Sequence, residues 1–316
     1  MRYYIGIDGG ATKTAICAAN LDNLPLRYAK TTGSSWRESS AGNVAQNLKV
    51  TVTGLIGEGF GEIAGIAMGL PCYGESDAGD HSLEEAINEA FAGIPHYITN
   101  DVEVGWAGSL ALAPGVNVVA GTGTIAFGKD YNGKSSRSGG YSEFFSDEGS
   151  CYWIGRKVLE FFFKQADGRM PKDELYEVVC REFNLRDEMS LIDIIHVEYA
   201  GYRDRMASLQ LLAEKAALAG SSSAQSIYDD AVRELCLLAT AIRNQLDFIG
   251  KPWTVSYSGG LFKAGDLILP QFSKGIEKEN GILAAPLLAP VDGAVLLAFQ
   301  HFNPAGLLKI KSMFSV

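Results

Sequence analysis

Ile5-Gly6-Ile7-Asp8-Gly9-Gly10-Ala11-Thr12-Lys13-Thr14 is the stretch on which the fold of this chain turns. Tyr3 to Ile7 reads as a buried strand, Asp8-Gly9-Gly10 as a turn, and Thr12 to Ala19 as a second strand returning beside the first. Asp-Gly between two apolar runs is the strongest short-range hairpin signal. Such a turn also has chemical uses. Glycines let a backbone approach a ligand closely, and their amides, with the Thr12 hydroxyl, can donate to phosphate oxygens. An aspartate ending an apolar strand, here Asp8, can hold Mg²⁺ near those oxygens, usually through water. It can equally make an Asx-type turn and nothing more. Lys13 is not a P-loop lysine, because Gly-x4-Gly-Lys-[Ser/Thr] is absent.

Outward from this turn the pattern is that of an α/β protein. A third strand is expected near Leu26 to Thr31, then a polar loop to Ser40 and a helix from Asn43 to Ile56. Glu62 to Leu70 is a short apolar run stopped by Pro71, hence a buried strand. Ser82 is expected to cap a helix through Phe91, His96 to Thr99 to form a strand, and Val102 to Leu112 a helix. After the break at Pro114-Gly115 the pattern restarts: strand Val116 to Ala120, turn Gly121-Thr122-Gly123-Thr124, strand Ile125 to Gly128 and a hairpin turn at Tyr131 to Lys134. Glu148 to about Leu246 is mainly helical, Trp253 to Ser258 is a strand ending in Gly259-Gly260, and Asp292-Gly293-Ala294 opens a last long helix. A strand, glycine turn, strand unit thus occurs twice, near residues 8 and 121. This internal duplication predicts two related domains, 1–114 and 115–299, with a C-terminal helix at about 300–316 completing the first.

Composition narrows the function. Net charge is −10, with a pI near 5.0, which argues against a nucleic-acid partner. No stretch resembles a secretory leader or a membrane span, so a cytoplasmic protein with no membrane partner is expected. The five cysteines (Cys17, Cys72, Cys151, Cys180, Cys236) form no CxxC pair, and the four histidines show no metal spacing.

The remaining candidates lie at strand ends. Gly121, Thr122, Gly123 and Thr124 repeat the first device, and two such tips could grip one polyphosphate. Ser258-Gly259-Gly260 stands at a strand-to-helix junction, where adenosine could lie against backbone; helix entry alone also explains it. Asn100-Asp101 follows a strand and precedes a helix. Asp101 reads either as that helix's cap or as a general base for an attacking hydroxyl. Gly139-Gly140-Tyr141 and Ser146-Asp147-Glu148-Gly149-Ser150 form a polar cluster. Its carboxylates could bind sugar hydroxyls, or Ser146 or Asp147 could cap the next helix.

These elements, in this order, resemble the actin-like ATPase superfamily of sugar kinases, actin and heat-shock chaperones. The nearest likeness is to its N-acetylglucosamine kinase branch, which also contains the BadF/BadG/BcrA/BcrD ATPases. The resemblance implies two ribonuclease H-like domains with mixed five-stranded sheets flanked by helices, and a site in the interdomain cleft. It implies ATP and Mg²⁺ as cofactors, and a small-molecule sugar, foremost N-acetylglucosamine, phosphorylated at O6. Gly9, Gly10, Ala11, Thr12 and Lys13 would be the first phosphate loop, Gly121 to Thr124 the second, and Gly259-Gly260 would face adenosine. Asp8 would hold Mg²⁺ and Asp101 would be the base. Ser35, Trp36, Asn100, Gly140, Tyr141, Asp147 and Glu148 would line the sugar pocket. A homodimer is left open. Two departures matter: Ala11 stands where many relatives have glycine, and Ser35 replaces an asparagine that touches the sugar. Arg37 beside it could instead meet a substrate carboxylate, as on N-acetylmuramic acid. Glucosamine is a further candidate substrate. The rival in another class is the ATP-driven activator of 2-hydroxyacyl-CoA dehydratases, and a nucleotide-switched binding protein is a third reading.

Overall fold

The computed structural model describes residues 2–22, 26–57, 62–248, 250 and 253–316 of the chain. It divides into two units, Met1–Ala113 with Ala285–Val316, and Pro114–Ala284. The sequence predicts the return to the first unit at about residue 300; in the structure it comes at Ala285.

The first unit opens with β1 (Tyr3–Gly9), β2 (Lys13–Ala19) and β3 (Arg27–Thr32), an antiparallel meander. Then come α1 (Ala41–Ile56), β4 (Ile63–Leu70), α2 (Asp77–Ala90), β5 (His96–Asn100) and α3 (Asp101–Ser109). The sheet order is β3-β2-β1-β4-β5, with β4 parallel to both β1 and β5. Strand periodicity sends alternate β1 residues to opposite faces. Ile5 and Ile7 pack with Val44, Leu48 and Val52 of α1 and Leu83 and Ile87 of α2. Helix α2 begins earlier than the expected Ser82, because the Ser76 side chain accepts from the Gly79 amide and caps it there.

The second unit repeats the plan. β6 (Gly115–Ala120), β7 (Thr124–Lys129) and β8 (Ser135–Gly139) form its meander. Six helices follow: α4 (Cys151–Ala166), α5 (Glu174–Glu182), α6 (Ser190–Ile194), α7 (Arg203–Ser208), α8 (Gln210–Leu218) and α9 (Ser222–Gln245). β9 (Trp253–Ser258), α10 (Leu269–Lys278) and the short β10 (Gly281–Leu283), which the sequence did not predict, complete it. Its order, β10-β9-β6-β7-β8, matches the first sheet with β6 in the place of β1. The duplication expected from the glycine turns is therefore present, with the helical insertion between β8 and β9.

The chain then returns to the first unit as α11 (Pro290–Phe302) and α12 (Leu307–Met313). Ala294 to Phe299 are all buried, so α11 is a core helix and cannot belong to an exposed tail. Glycines admit it. A Cβ on Gly6 of β1 would lie 2.4 Å from the Val295 nitrogen, and the ring of Tyr4 meets Phe299 at 4.2 Å. Where α11 crosses α3, a Cβ on Gly293 would lie 2.1 Å from the Gly108 nitrogen and 2.4 Å from the Val104 oxygen. Those neighbours are helix backbone and cannot step aside. Gly293→Ala should therefore lower the thermal unfolding midpoint, at a cost of about 1–3 kcal/mol as for other overpacked sites. An unchanged midpoint would contradict this packing.

Candidate active site

In the first unit the predicted residues converge on the carboxyl ends of β1, β4 and β5, where open α/β sheets bind ligands. Register explains how. Asp8 pairs with Gly69 and Gly69 with Thr99, so the ends of the three strands lie level. Gly69 leaves room above the sheet: a Cβ there would strike the Val104 methyls at 2.5 and 2.7 Å and lie 3.2 Å from the Asp101 Cα. The first turn of α3 thus settles over β4 and brings Asp101 beside Asp8. The cap of α3 is Asn100, whose side chain accepts the Val102 amide at 3.2 Å while its Nδ2 donates to the Tyr73 carbonyl at 2.7 Å. Of the two sequence alternatives for Asp101, helix capping is therefore taken by its neighbour.

The Gly9–Lys13 turn is held from below. The Gly10 amide donates to the Lys13 carbonyl and the Ser34 amide to the Gly10 carbonyl, each at 3.0 Å. A Cβ on Gly9 would meet Ser34 Oγ at 2.2 Å, and one on Gly33 would meet the Ala11 oxygen at 1.6 Å. The tip itself, Ala11, Thr12 and Lys13, is exposed. Ser35 is buried and hydrogen-bonds the Cys72 thiol, which burial and the charge of Glu75 push above its ordinary pKa. The half-buried Trp36 packs its indole on Gly79 of α2, with Arg37 over the ring at 5.3 Å. Arg37 pairs with Glu75 at 3.3 Å.

Electrostatics single out Asp8. Burial first, and the neighbouring Asp101 carboxylate second, push its pKa up to about 7, with Lys13 opposing. A cation there would relieve both causes. Oxygen donors of this kind suit Mg²⁺, which is commonly held by one or two carboxylates together with substrate phosphates. Among the described residues no group of three or more His, Cys, Asp or Glu side chains stands ready to hold a metal alone.

The second unit brings together Gly121 to Thr124, Asp147 and Gly259-Gly260. Its threonine hydroxyls are engaged internally: Thr122 donates to Asp204 at 3.2 Å and Thr124 to the Glu148 carbonyl at 2.9 Å. Asp147 is buried, accepts the Thr124 amide at 3.0 Å and pairs with Arg203, so it braces the turn. Neither Asp147 nor Ser146 caps α4; Ser150 does, accepting the Trp153 amide at 3.0 Å. Gly259 is required by packing, since its φ is +105° and a Cβ would meet the Ala120 oxygen at 2.2 Å. Gly121 and Gly260 differ. A Cβ on Gly260 would meet nothing within 4 Å, and one on Gly121 only the Gly260 nitrogen at 3.8 Å. Neither glycine is therefore demanded by packing, and Gly260 is exposed. Tyr141 is exposed after the left-handed Gly140 (φ +73°), with Arg137 over its ring at 5.7 Å, and Glu148 is exposed too. Sequence reasoning missed Gly69, Cys72, Arg203 and Asp204, which carry no local motif.

Comparison with known proteins agrees with this architecture. Residues 5–298 match the BadF/BadG/BcrA/BcrD ATPase family, and the chain belongs to it. An N-acetylmuramic acid/N-acetylglucosamine kinase of Clostridium acetobutylicum is 29% identical over 279 residues, 87% of this chain and 90% of that one. An N-acetyl-D-glucosamine kinase of Dictyostelium discoideum is 27% identical over 320 residues, 94% of this chain and 98% of the other. The crystal structure of a candidate N-acetylglucosamine kinase from Chromobacterium violaceum superposes with a TM-score of 0.72 at 24% identity, covering 94% and 99% of the two chains. The fold is that of the actin-like sugar kinases.

The raised Asp8 carboxyl gives a pH prediction. The folded chain holds this proton up to about pH 7, against 3.8 ordinarily, so the associated stability is complete below about pH 4 and lost as pH rises through 7. In metal-free buffer, Asp8→Asn should gain stability over the parent at pH 8, by on the order of 1–3 kcal/mol, and much less at pH 5. Thermal midpoints at the two pH values check this; an equal difference at both would contradict it.

Proposed function

We propose that this member of the BadF/BadG/BcrA/BcrD family transfers the γ-phosphoryl group of ATP to a hydroxyl of an amino sugar, N-acetylglucosamine foremost, forming the 6-phosphate. The observation that carries the reading is Asp101. It is a carboxylate at the carboxyl end of β5, relieved of helix capping by Asn100 and seated beside Asp8. A group so placed can take the proton from the attacking hydroxyl while a phosphate chain lies along the Gly9–Lys13 turn. Cys72, which feels the Asp101 charge and is hydrogen-bonded to Ser35, brings this pair forward as the sugar side of the site. Within the second unit, the Gly121–Thr124 turn is a phosphate loop of its own, with open backbone at Gly121 and Gly260. Catalysis of this kind rests on positioning and charge neutralisation, with little covalent work for the protein. Asp8 would hold Mg²⁺, which when bound would supply charge neutralisation on the transferring phosphoryl group.

The relatives named above support the substrate class, since both are amino-sugar kinases. N-acetylmuramic acid is the second candidate, from the name of the Clostridium relative. The residue suggested for its carboxylate, Arg37, already has Glu75 as its partner, which favours the uncharged sugar.

Asp101→Asn tests the assignment. In a coupled ADP-release assay with N-acetylglucosamine, kcat should fall about 10²–10⁴-fold, the usual contribution of a positioned base. ADP binding measured by calorimetry should change little. A variant that keeps most of its turnover would remove Asp101 as the base.

A further inference from the structure

Arg203 opens α7, far along the chain from the Gly121–Thr124 turn, yet it lies directly against it. Its Nη2 donates to Asp147 Oδ2, and Asp147 Oδ1 accepts the Thr124 amide at 3.0 Å. The next residue, Asp204, accepts the Thr122 hydroxyl at 3.2 Å. A Cβ on Gly123 would lie 2.6 Å from Arg203 Nη2, so the guanidinium touches the backbone of the turn. Arg203 Nε faces Glu143 at 3.6 Å, an ion pair across to the segment that follows Tyr141.

A simple account makes Arg203 the counterion of a buried carboxylate. Exposure argues for more. The Asp147 side chain is 3% exposed while that of Arg203 is 43% exposed. The buried partner thus fixes one edge of the guanidinium and leaves the rest open beside a glycine turn. A guanidinium carries five donors in a planar fork, and the two pairs engage only Nη2 and Nε. That fork matches phosphate oxygens better than a lysine ammonium would.

We propose that Arg203 is a phosphate ligand: anchored by Asp147, it turns its outer donors to the polyphosphate of ATP held on the Gly121–Thr124 turn. This rests on the kinase reading and adds to it a fixed cation on the phosphate chain that ADP and ATP share. Glu143 competes for the same guanidinium and restrains it when no phosphate is present.

The test compares ADP with adenosine by calorimetry in the parent, Arg203→Gln and Glu143→Gln. Arg203→Gln should weaken ADP about 10- to 100-fold, the worth of a hydrogen bond to a charged group, and leave adenosine unchanged. Glu143→Gln, which removes the competitor, should tighten ADP by about two- to fivefold, the scale of an exposed ion pair. Equal weakening of ADP and adenosine in Arg203→Gln would mean that the arginine only braces the turn, and unchanged ADP binding would likewise overturn the proposal. Should Arg203→Gln fail to fold, Glu143→Gln decides alone, and ADP binding that is unchanged or weaker refutes it. A parent protein that neither binds ADP nor releases it with any sugar would bring down the kinase reading itself, and this inference with it.

Discussion

Two carboxylates held near each other away from bulk water repel, and one keeps its proton unless a cation intervenes. At Asp8 burial acts first and the nearby, half-buried Asp101 carboxylate adds to it, and much of the first unit serves to hold the two together. The level ends of β1, β4 and β5 set the distance along the sheet, and Gly69 removes the side chain that would prop α3 away. Asn100 takes the cap, so the Asp101 carboxylate need not bend back to the helix amides. Burial and repulsion together leave Asp8 with an affinity for protons near neutral pH, hence an affinity for any cation that replaces them. The buried helix α11, packed on β1 and α3, anchors the elements that carry both carboxylates.

The second unit solves a different problem with the same sheet order. Its glycine turn must stay bare toward a ligand and still be rigid. Hydrogen bonds from behind provide the rigidity: Asp147 on the Thr124 amide, the Glu148 carbonyl on the Thr124 hydroxyl, Asp204 on the Thr122 hydroxyl and the Cys151 amide on the Gly121 carbonyl at 2.8 Å. Every one of these braces comes from the inserted helical region or the loop that leads to it. The insertion between β8 and β9 is thus part of the support of the turn.

Strand, turn and duplication were legible in the sequence because they depend on near neighbours. Alternating apolar residues, Asp-Gly and Gly-Thr-Gly-Thr carry their physics within ten residues. Choices among adjacent candidates were not. Ser76 caps α2 although Ser82 looked suitable, Asn100 caps α3 beside Asp101, and Ser150 caps α4 after Ser146 and Asp147. Each choice is decided by where the helix must start to bury its apolar face, which the local pattern leaves open by a turn. Contacts between distant segments were the least visible. Arg203 against Gly123, Gly69 beneath Asp101 and Gly293 against Gly108 are set by the packed fold. The packing of Trp36 on Gly79 of α2 is equally invisible to a reading of near neighbours.

The most direct measurement is ADP release from Mg·ATP against N-acetylglucosamine, N-acetylmuramic acid, glucosamine, N-acetylmannosamine and glucose, with a sugar-free control. The account predicts turnover that depends on an amino sugar, strongest with N-acetylglucosamine, and little ATP hydrolysis in its absence. Steady ATP turnover indifferent to every sugar would contradict it.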